Sequence, residues 1–541
     1  MASIGPIESL DVQKKKISEI LGPWAESLRI PVVQREFEWQ EEDIKALIDS
    51  ITRSYPVGTI IIWESYEKFP NSKVVGANVK DDQDGPFRYV IDGQQRLISL
   101  LLVSNAWQIS RGKETIKTEP IAFNPATNDF RIGGNVGIDV SLLMNAAMAK
   151  ANALKELSNK YSGYESALEY VGSKLSNYEL PIYTLKTPKH TEVDPEIIAD
   201  IFTRINKSGA ALGNLQMFLS FFASAFPNLK DTILERYNDL NDNYSDEYPS
   251  WEASIRAVFG NLGQSQNRIT RIKSFKAVIN DIKSNYGGRP EEMKSLVEGS
   301  FKAMNCGLSL IKEEFGISNQ RFLPSQNVLI PIYKWLFKNK IFSTDKIQKN
   351  DKNHILKWFL ISSANNYYTS STNRKLEDSL EIITQGTEFP IDLLLKKMKE
   401  EIKTDSIDLE DVINEAANKA KQMLLFSLLY RKGASDWAGH PITSSNVTLQ
   451  HIFPKNLLSD NYELSHINKL SNLTFINGPL NSELKDKSPE VYLQDFNENL
   501  LRQHLIPTER STWKIENFEE FIQKRDSIIK DEIDEMLHSM E

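Results

Sequence analysis

The chain has 541 residues and a mass of 61.8 kDa, with 40% apolar and 25% charged residues, a formal net charge of −9 and a single cysteine, Cys306. That length exceeds what one hydrophobic core supports, so roughly two to four domains are expected. No apolar run approaches the ~20 residues that a bilayer crossing needs, one cysteine excludes an intrachain disulfide or a cysteine-ligated zinc site, and residues 1–16 lack the apolar core of a secretion signal, so a cytoplasmic protein with no membrane partner is expected.

The acidic balance neither supports nor excludes a nucleic-acid partner. A local basic face such as Arg268, Arg271, Lys273 and Lys276 can bind phosphate in an otherwise acidic chain, although such residues more often form a solvated helix surface.

In chain order, Ile44, Leu47, Ile48 and Ile51 stand at helical spacing within Glu41 to Ser54, and Tyr55-Pro56 closes that helix. Gly58 to Trp63 and Phe87 to Ile91 read as buried strands, and Leu97 to Trp107 as a strongly apolar helix. Asp194-Pro195 has a helix-start signature that leads through Ile197, Ile198, Ile201 and Phe202. From about Asn228 to Tyr430 helix formers dominate, punctuated by Tyr286-Gly287-Gly288-Arg289-Pro290 and by Asn365 to Asn373. After Arg431 short β-like segments return at Val447 to Phe453 and Leu473 to Asn477, and the chain finishes in a charged helix from Ile515 onward.

Between the strand ending at Ile91 and the helix beginning near Leu97 lies Asp92-Gly93-Gln94-Gln95-Arg96. Unpaired N–H groups at a helix start attract anions, Gly93 permits close backbone approach, Arg96 offers a fork for phosphate oxygens, and Asp92 suits a divalent cation or a water. The same residues also make a plain tight turn, with Asp92 capping the helix and Arg96 pairing with a carboxylate. No Gly-x-x-x-x-Gly-Lys-Ser/Thr loop supplies nucleotide chemistry elsewhere.

Five of the seven histidines lie from His440 onward, and the pattern around His451 is the most informative. Gln450-His451-Ile452-Phe453-Pro454 closes one strand, Asn472-Leu473-Thr474 opens a second, and Asn481 follows nine residues after Asn472. This is the order of an HNH nuclease core. Phosphodiester hydrolysis needs a water activated in line with the leaving oxygen, and imidazole suits that proton transfer. His451 is then the base, Asn472 holds the loop that aims it, and Asn481 ligates a divalent cation such as Mg²⁺ or Mn²⁺ that neutralises developing charge.

Gln450 is the awkward member, because an acidic residue or histidine often precedes the catalytic histidine and an amide oxygen is a poorer ligand for a hard cation. Three outcomes stand: Gln450 ligates weakly, another carboxylate such as Asp460, Glu483 or Asp486 substitutes, or the nuclease is impaired. His440 and His466 are spare candidates.

Three elements in the N-terminal part, namely Ile30-Pro31-Val32-Val33-Gln34-Arg35-Glu36-Phe37-Glu38-Trp39, the Gly58-Thr59 strand and Asp92 to Arg96, resemble the N-terminal domain of GmrSD-type modification-dependent (type IV) restriction endonucleases, which is similar to the ParB nucleotide-binding fold. Ser445 to Leu493 resembles the HNH domain of the same family, and Tyr367 to Leu380 also looks family-like. The resemblance implies that Gln34, Arg35, Asp92, Gly93, Gln94, Gln95 and Arg96 bind and hydrolyse an NTP, with Arg204 and Asn206 of Phe202 to Gly209 in a supporting role. Val33 departs from the aromatic residue often found before the Gln-Arg pair, so a stacking contact there is not expected.

The expected fold is multidomain and mainly α, with an α+β ParB-like nucleotide-binding domain (1–227), a helical middle region (228–430) and a C-terminal ββα-metal HNH domain (431–541). The expected function is an NTP-regulated DNA endonuclease that cuts foreign, modified phage DNA in antiviral defence. One HNH site per chain implies two copies, a homodimer, for a double-strand break. Two alternatives are a nucleotide-responsive DNA-binding regulator with a degenerate HNH fold, and an NTPase acting as a toxin component or assembly switch.

Overall fold

A computed structural model describes residues 8–31, 37–66, 71–73, 86–111, 114–133, 137–149, 152–189, 214–244, 248–437, 439–477 and 487–541. The chain forms two compact units, one of residues 1–228 with 271–280, the other of 229–270 with 281–541. Helix predominates, and strands concentrate in the first unit. Among the described residues, no helix is long and apolar enough to cross a membrane.

The strands of the first unit are β1 (Ser9–Lys16), β2 (Leu28–Pro31), β3 (Ile60–Ser65), β4 (Asn71–Lys73), β5 (Phe87–Asp92), β6 (Gln108–Arg111), β7 (Glu114–Lys117), β8 (Ile121–Asn124), β9 (Asp129–Ile132), β10 (Ile138–Asp139) and β11 (Glu179–Lys186). Six of them make a mixed sheet in the order β1-β11-β3-β5-β2-β4. β11 runs parallel to β3 and β2 parallel to β5, while the remaining neighbours are antiparallel.

The apolar run of β3 suits its central place, with Ile60, Ile62 and Trp63 all buried. Ile44, Leu47, Ile48 and Ile51 from the helix Glu41–Thr52 join the same core, as do Leu97, Ile98 and Leu101 from the helix Gln94–Ser104. The spacing read from the sequence for the first helix therefore points at the core. Its N-terminus is fixed by a capping box between Gln40 and Asp43. The second helix begins three residues before the apolar run suggests, because Gly93 turns the chain into it directly. The helix expected after Asp194-Pro195 lies outside the described residues.

The second unit includes the helices Trp251–Asn261, Pro290–Phe315, Leu329–Lys338, Lys349–Ala364, Thr372–Ile383 and Lys419–Arg431, with no strand among its described residues between 229 and 431. The break at Gly287-Gly288 falls where expected, and Pro290 opens the next helix at a position where its missing N–H costs nothing. Beyond it, β12 (Val447–His451) and β13 (Leu473–Asn477) pair as an antiparallel hairpin. Phe322, Phe426 and Phe475 pack in mutual tilted and edge-to-face contact, with centroids 4.2 to 5.5 Å apart, and so bind the helical part to β13. A separate apolar cluster around Ile452, Phe453, Ile476, Tyr492, Phe518 and Phe521 fastens the hairpin to the last helix, Phe518–His538.

Candidate functional site

At the N-terminal turn, a bulge sets the geometry. Ile61 pairs with Asp92 and Ile62 with Val90, so Ile91 is an extra residue that re-aims the end of β5. Gly93 then takes φ +87°, and a Cβ there would stand 2.9 Å from the Thr59 carbonyl oxygen. Only glycine fits this combination of left-handed backbone and close approach. Gly93 stands at the N-cap and has no side chain of its own to cap the helix, whose start carries the partial positive charge of the aligned peptide dipoles.

The side chains of this turn largely serve one another. Arg96 donates from Nη2 to Asp92 Oδ2 at 3.1 Å and from Nη1 to the Val57 carbonyl at 2.9 Å. Gly58 makes room for that guanidinium, since a Cβ on it would fall 2.1 Å from Arg96 Nη1. Gln95 Oε1 accepts the N–H groups of Glu38 and Trp39 at 3.0 and 3.3 Å, tying the turn to the segment after β2. Gln94 is buried. The plainer reading of the turn thus describes Arg96 as it stands, paired with a carboxylate. Gln34, Arg35, Arg204 and Asn206 lie outside the described residues.

The C-terminal site is built on the hairpin. His451, half-buried, ends β12 opposite Leu473, and Asn472 immediately precedes β13. Asn472 is completely buried and clamps the segment after His451. Its Oδ1 accepts the Phe453 N–H at 2.8 Å, its Nδ2 donates to the carbonyls of Phe453 (3.1 Å) and Ile467 (3.0 Å), and its own carbonyl accepts the Ile452 N–H at 2.8 Å. An asparagine is suited to this position because one amide both donates and accepts in a single plane.

Three further residues escaped the sequence reading. Tyr492 Oη donates to the Ile452 carbonyl at 2.7 Å, so the chain that leaves β13 at Asn477 returns to the His451 end of the hairpin. Arg525, fully buried, donates from Nη1 to the carbonyls of Ser471 and Leu473 at 2.7 Å each, on either side of Asn472, and burial pushes its pKa down to about 9. Asn468 Oδ1 stands 2.9 Å from His451 Nε2. All three act through backbone carbonyls or one ring nitrogen, which no residue spacing encodes.

Gln450 faces Thr474 across the ladder and is 7% exposed. Thr474 in turn meets His504 Nδ1 at 2.7 Å, and His504 Nε2 meets the Ser435 carbonyl at 2.7 Å. Desolvation holds His504 down at about pKa 4, so it is a neutral core histidine. His440 is exposed beside the buried Asp436, and His466 lies 2.9 Å from Glu519. Among the described residues, no three His, Cys, Asp or Glu side chains gather as a metal site. Asn481, Glu483 and Asp486 lie outside the described residues, and Asp460 is an exposed turn residue. Of the basic residues considered for phosphate, Arg268 pairs with Asp281 at 2.8 Å.

Comparison with known proteins bears on both ends of the chain. Residues 10–223 match the GmrSD restriction endonuclease N-terminal domain, and residues 402–530 match the GmrSD restriction endonuclease C-terminal domain. An uncharacterized protein of Methanocaldococcus jannaschii is 24% identical over 559 aligned residues, covering 94% of this chain and 92% of that protein. The two domain matches take in the Asp92–Arg96 turn and the His451 hairpin, in the same order along the chain. The chain belongs to the GmrSD restriction endonuclease family, whose members are nucleases that act on DNA.

Proposed function

We propose that the protein is an NTP-regulated, metal-dependent HNH endonuclease that cuts modified foreign DNA, with His451 as general base. The observation that carries this reading is the clamp on His451. Asn472 and Tyr492 fix the backbone of the two residues after it, leaving a half-buried imidazole at the hairpin end. A base so held loses little entropy on reaching its transition-state geometry. Amide oxygens suit a hard cation, though more weakly than carboxylates, and Asn481 and Gln450 would hold it. The cation would supply charge neutralisation at the phosphate and leaving oxygen.

Nucleotide handling falls to the ParB-like Asp92–Arg96 turn. The helix start at Gln94 is its anion-attracting element, and an arriving phosphate competes with Asp92 for Arg96. Regulation of this kind restrains a nuclease that would otherwise attack the host chromosome, and two chains would cut both strands. Arg96→Ala should impair nucleotide turnover. His451→Ala should abolish cutting and leave turnover intact. Normal cutting by His451→Ala would defeat the assignment.

A second reading, a nucleotide-responsive DNA-binding regulator, has the burial of Gln450 in its favour. It predicts DNA binding and nucleotide turnover with no strand breaks under any metal.

A further inference from the structure

The contact between His451 and Asn468 says which imidazole nitrogen is available for chemistry. Asn468 Oδ1 lies 2.9 Å from His451 Nε2, across a sequence separation of 17 residues. An amide oxygen only accepts, so a hydrogen bond across this contact calls for the ring proton on Nε2 and leaves the lone pair on Nδ1. Asn468 is itself held in place. Its N–H bonds the Leu464 carbonyl at 3.0 Å, ending the short helix Leu464–Ile467, and its carbonyl accepts the Ala417 N–H at 2.8 Å. Lys469 next to it forms a β-bridge with Ala416. A side chain rising from a backbone anchored on both sides makes a rigid partner for a ring.

We infer that Asn468 is a positioning residue: it holds His451 in the Nε2–H tautomer and presents Nδ1 to the attacking water. This rests on the proposed role of His451 as base. In the step, the water oxygen bonds phosphorus and its proton passes to Nδ1. One P–O ester bond breaks with its electron pair on the departing oxygen, which takes a proton from solvent. The ring, now cationic, donates from Nε2–H to Asn468 Oδ1 throughout. Asn472 and Tyr492 place the backbone of the turn, and Asn468 sets the rotation and tautomer of the ring. The sequence singled out Asn472 and Asn481, not Asn468.

Cleavage kinetics of the full-length wild type, Asn468→Ala, Asn468→Asp and His451→Ala on supercoiled plasmid with Mg²⁺ or Mn²⁺ test this. Asn468→Ala should lower kcat by about 10- to 100-fold, the usual cost of removing a partner that orients a histidine, with KM for DNA and Tm unchanged. Asn468→Asp keeps an acceptor at the same place and should restore kcat to within a few-fold. In ¹⁵N-histidine NMR spectra, the signal absent from His451→Ala should report the Nε2–H tautomer in the wild type and a mixture in Asn468→Ala.

Wild-type cutting by Asn468→Ala, an Asp variant as slow as the Ala variant, or an Nδ1–H signal in the wild type would each overturn the inference while leaving His451 as base. A His451→Ala protein that cuts, or a wild type that never does, would remove the nuclease reading and this inference with it.

Discussion

Asn472 combines positioning with stability in one buried side chain. Asn472→Ala would leave the Phe453 N–H and two carbonyls without their partners, at a cost of about 3 kcal/mol, so it should both lower the denaturation midpoint and abolish cutting. Denaturant unfolding measured beside a cleavage assay separates it from Asn468→Ala, which should affect cutting alone. His504 gives the pH dependence. Its folded-state pKa, about 4, is depressed below the usual value by burial, so its contribution to stability is complete above pH ~6.5 and is lost as pH falls through 4. In His504→Gln the loss of stability between pH 7 and 4 should shrink by at most about 3 kcal/mol, read from urea midpoints across that range. His451 and Asn472 were legible in the sequence because the hairpin's strand ends fix their spacing. His504 stood out only as one of several late histidines, and its neutrality depends on Thr474 and Ser435, which only the fold brings to it.

At the scale of elements, the apolar runs foretold β3, β5 and the helix after Gly93, and the short β-like segments at Val447 and Leu473 proved to be the two strands of the hairpin. The turn joining β5 to its helix was located correctly, but its internal bonding was not legible. Arg96 has equal chemical reason to meet a phosphate or Asp92, and the space left by Gly58 that lets its guanidinium lie beside Asp92 is a feature of the fold, not of the residue order. The turn tolerates little change. Gly93→Ala should destabilise the first unit by about 1–3 kcal/mol, through left-handed strain and the approach to Thr59, and should impair nucleotide binding with it. Calorimetry of the variant and its titration with nucleotide would check both effects. If Gly93→Ala melts and binds nucleotide as the wild type does, the close approach at Thr59 is not a working constraint. The strands β2, β4, β8, β9 and β10 are too short to carry an alternation, so their pairing was beyond sequence periodicity.

At the scale of the whole molecule, two compact units each hold one of the motif-bearing sites, and the family matches reach both. The helical stretch after 229 and the His451 hairpin belong to the same unit, joined through Phe322, Phe426 and Phe475. The division of labour proposed here is nucleotide sensing at the Asp92–Arg96 turn and cutting at His451. The most direct measurement is cleavage of supercoiled plasmid and of modified phage DNA by wild type and His451→Ala, with Mg²⁺ or Mn²⁺, with and without each NTP. This division of labour gives nucleotide-dependent cutting of the modified DNA by the wild type and none by the variant. Cutting that survives in His451→Ala, or an absence of strand breaks under every metal and nucleotide, would contradict it.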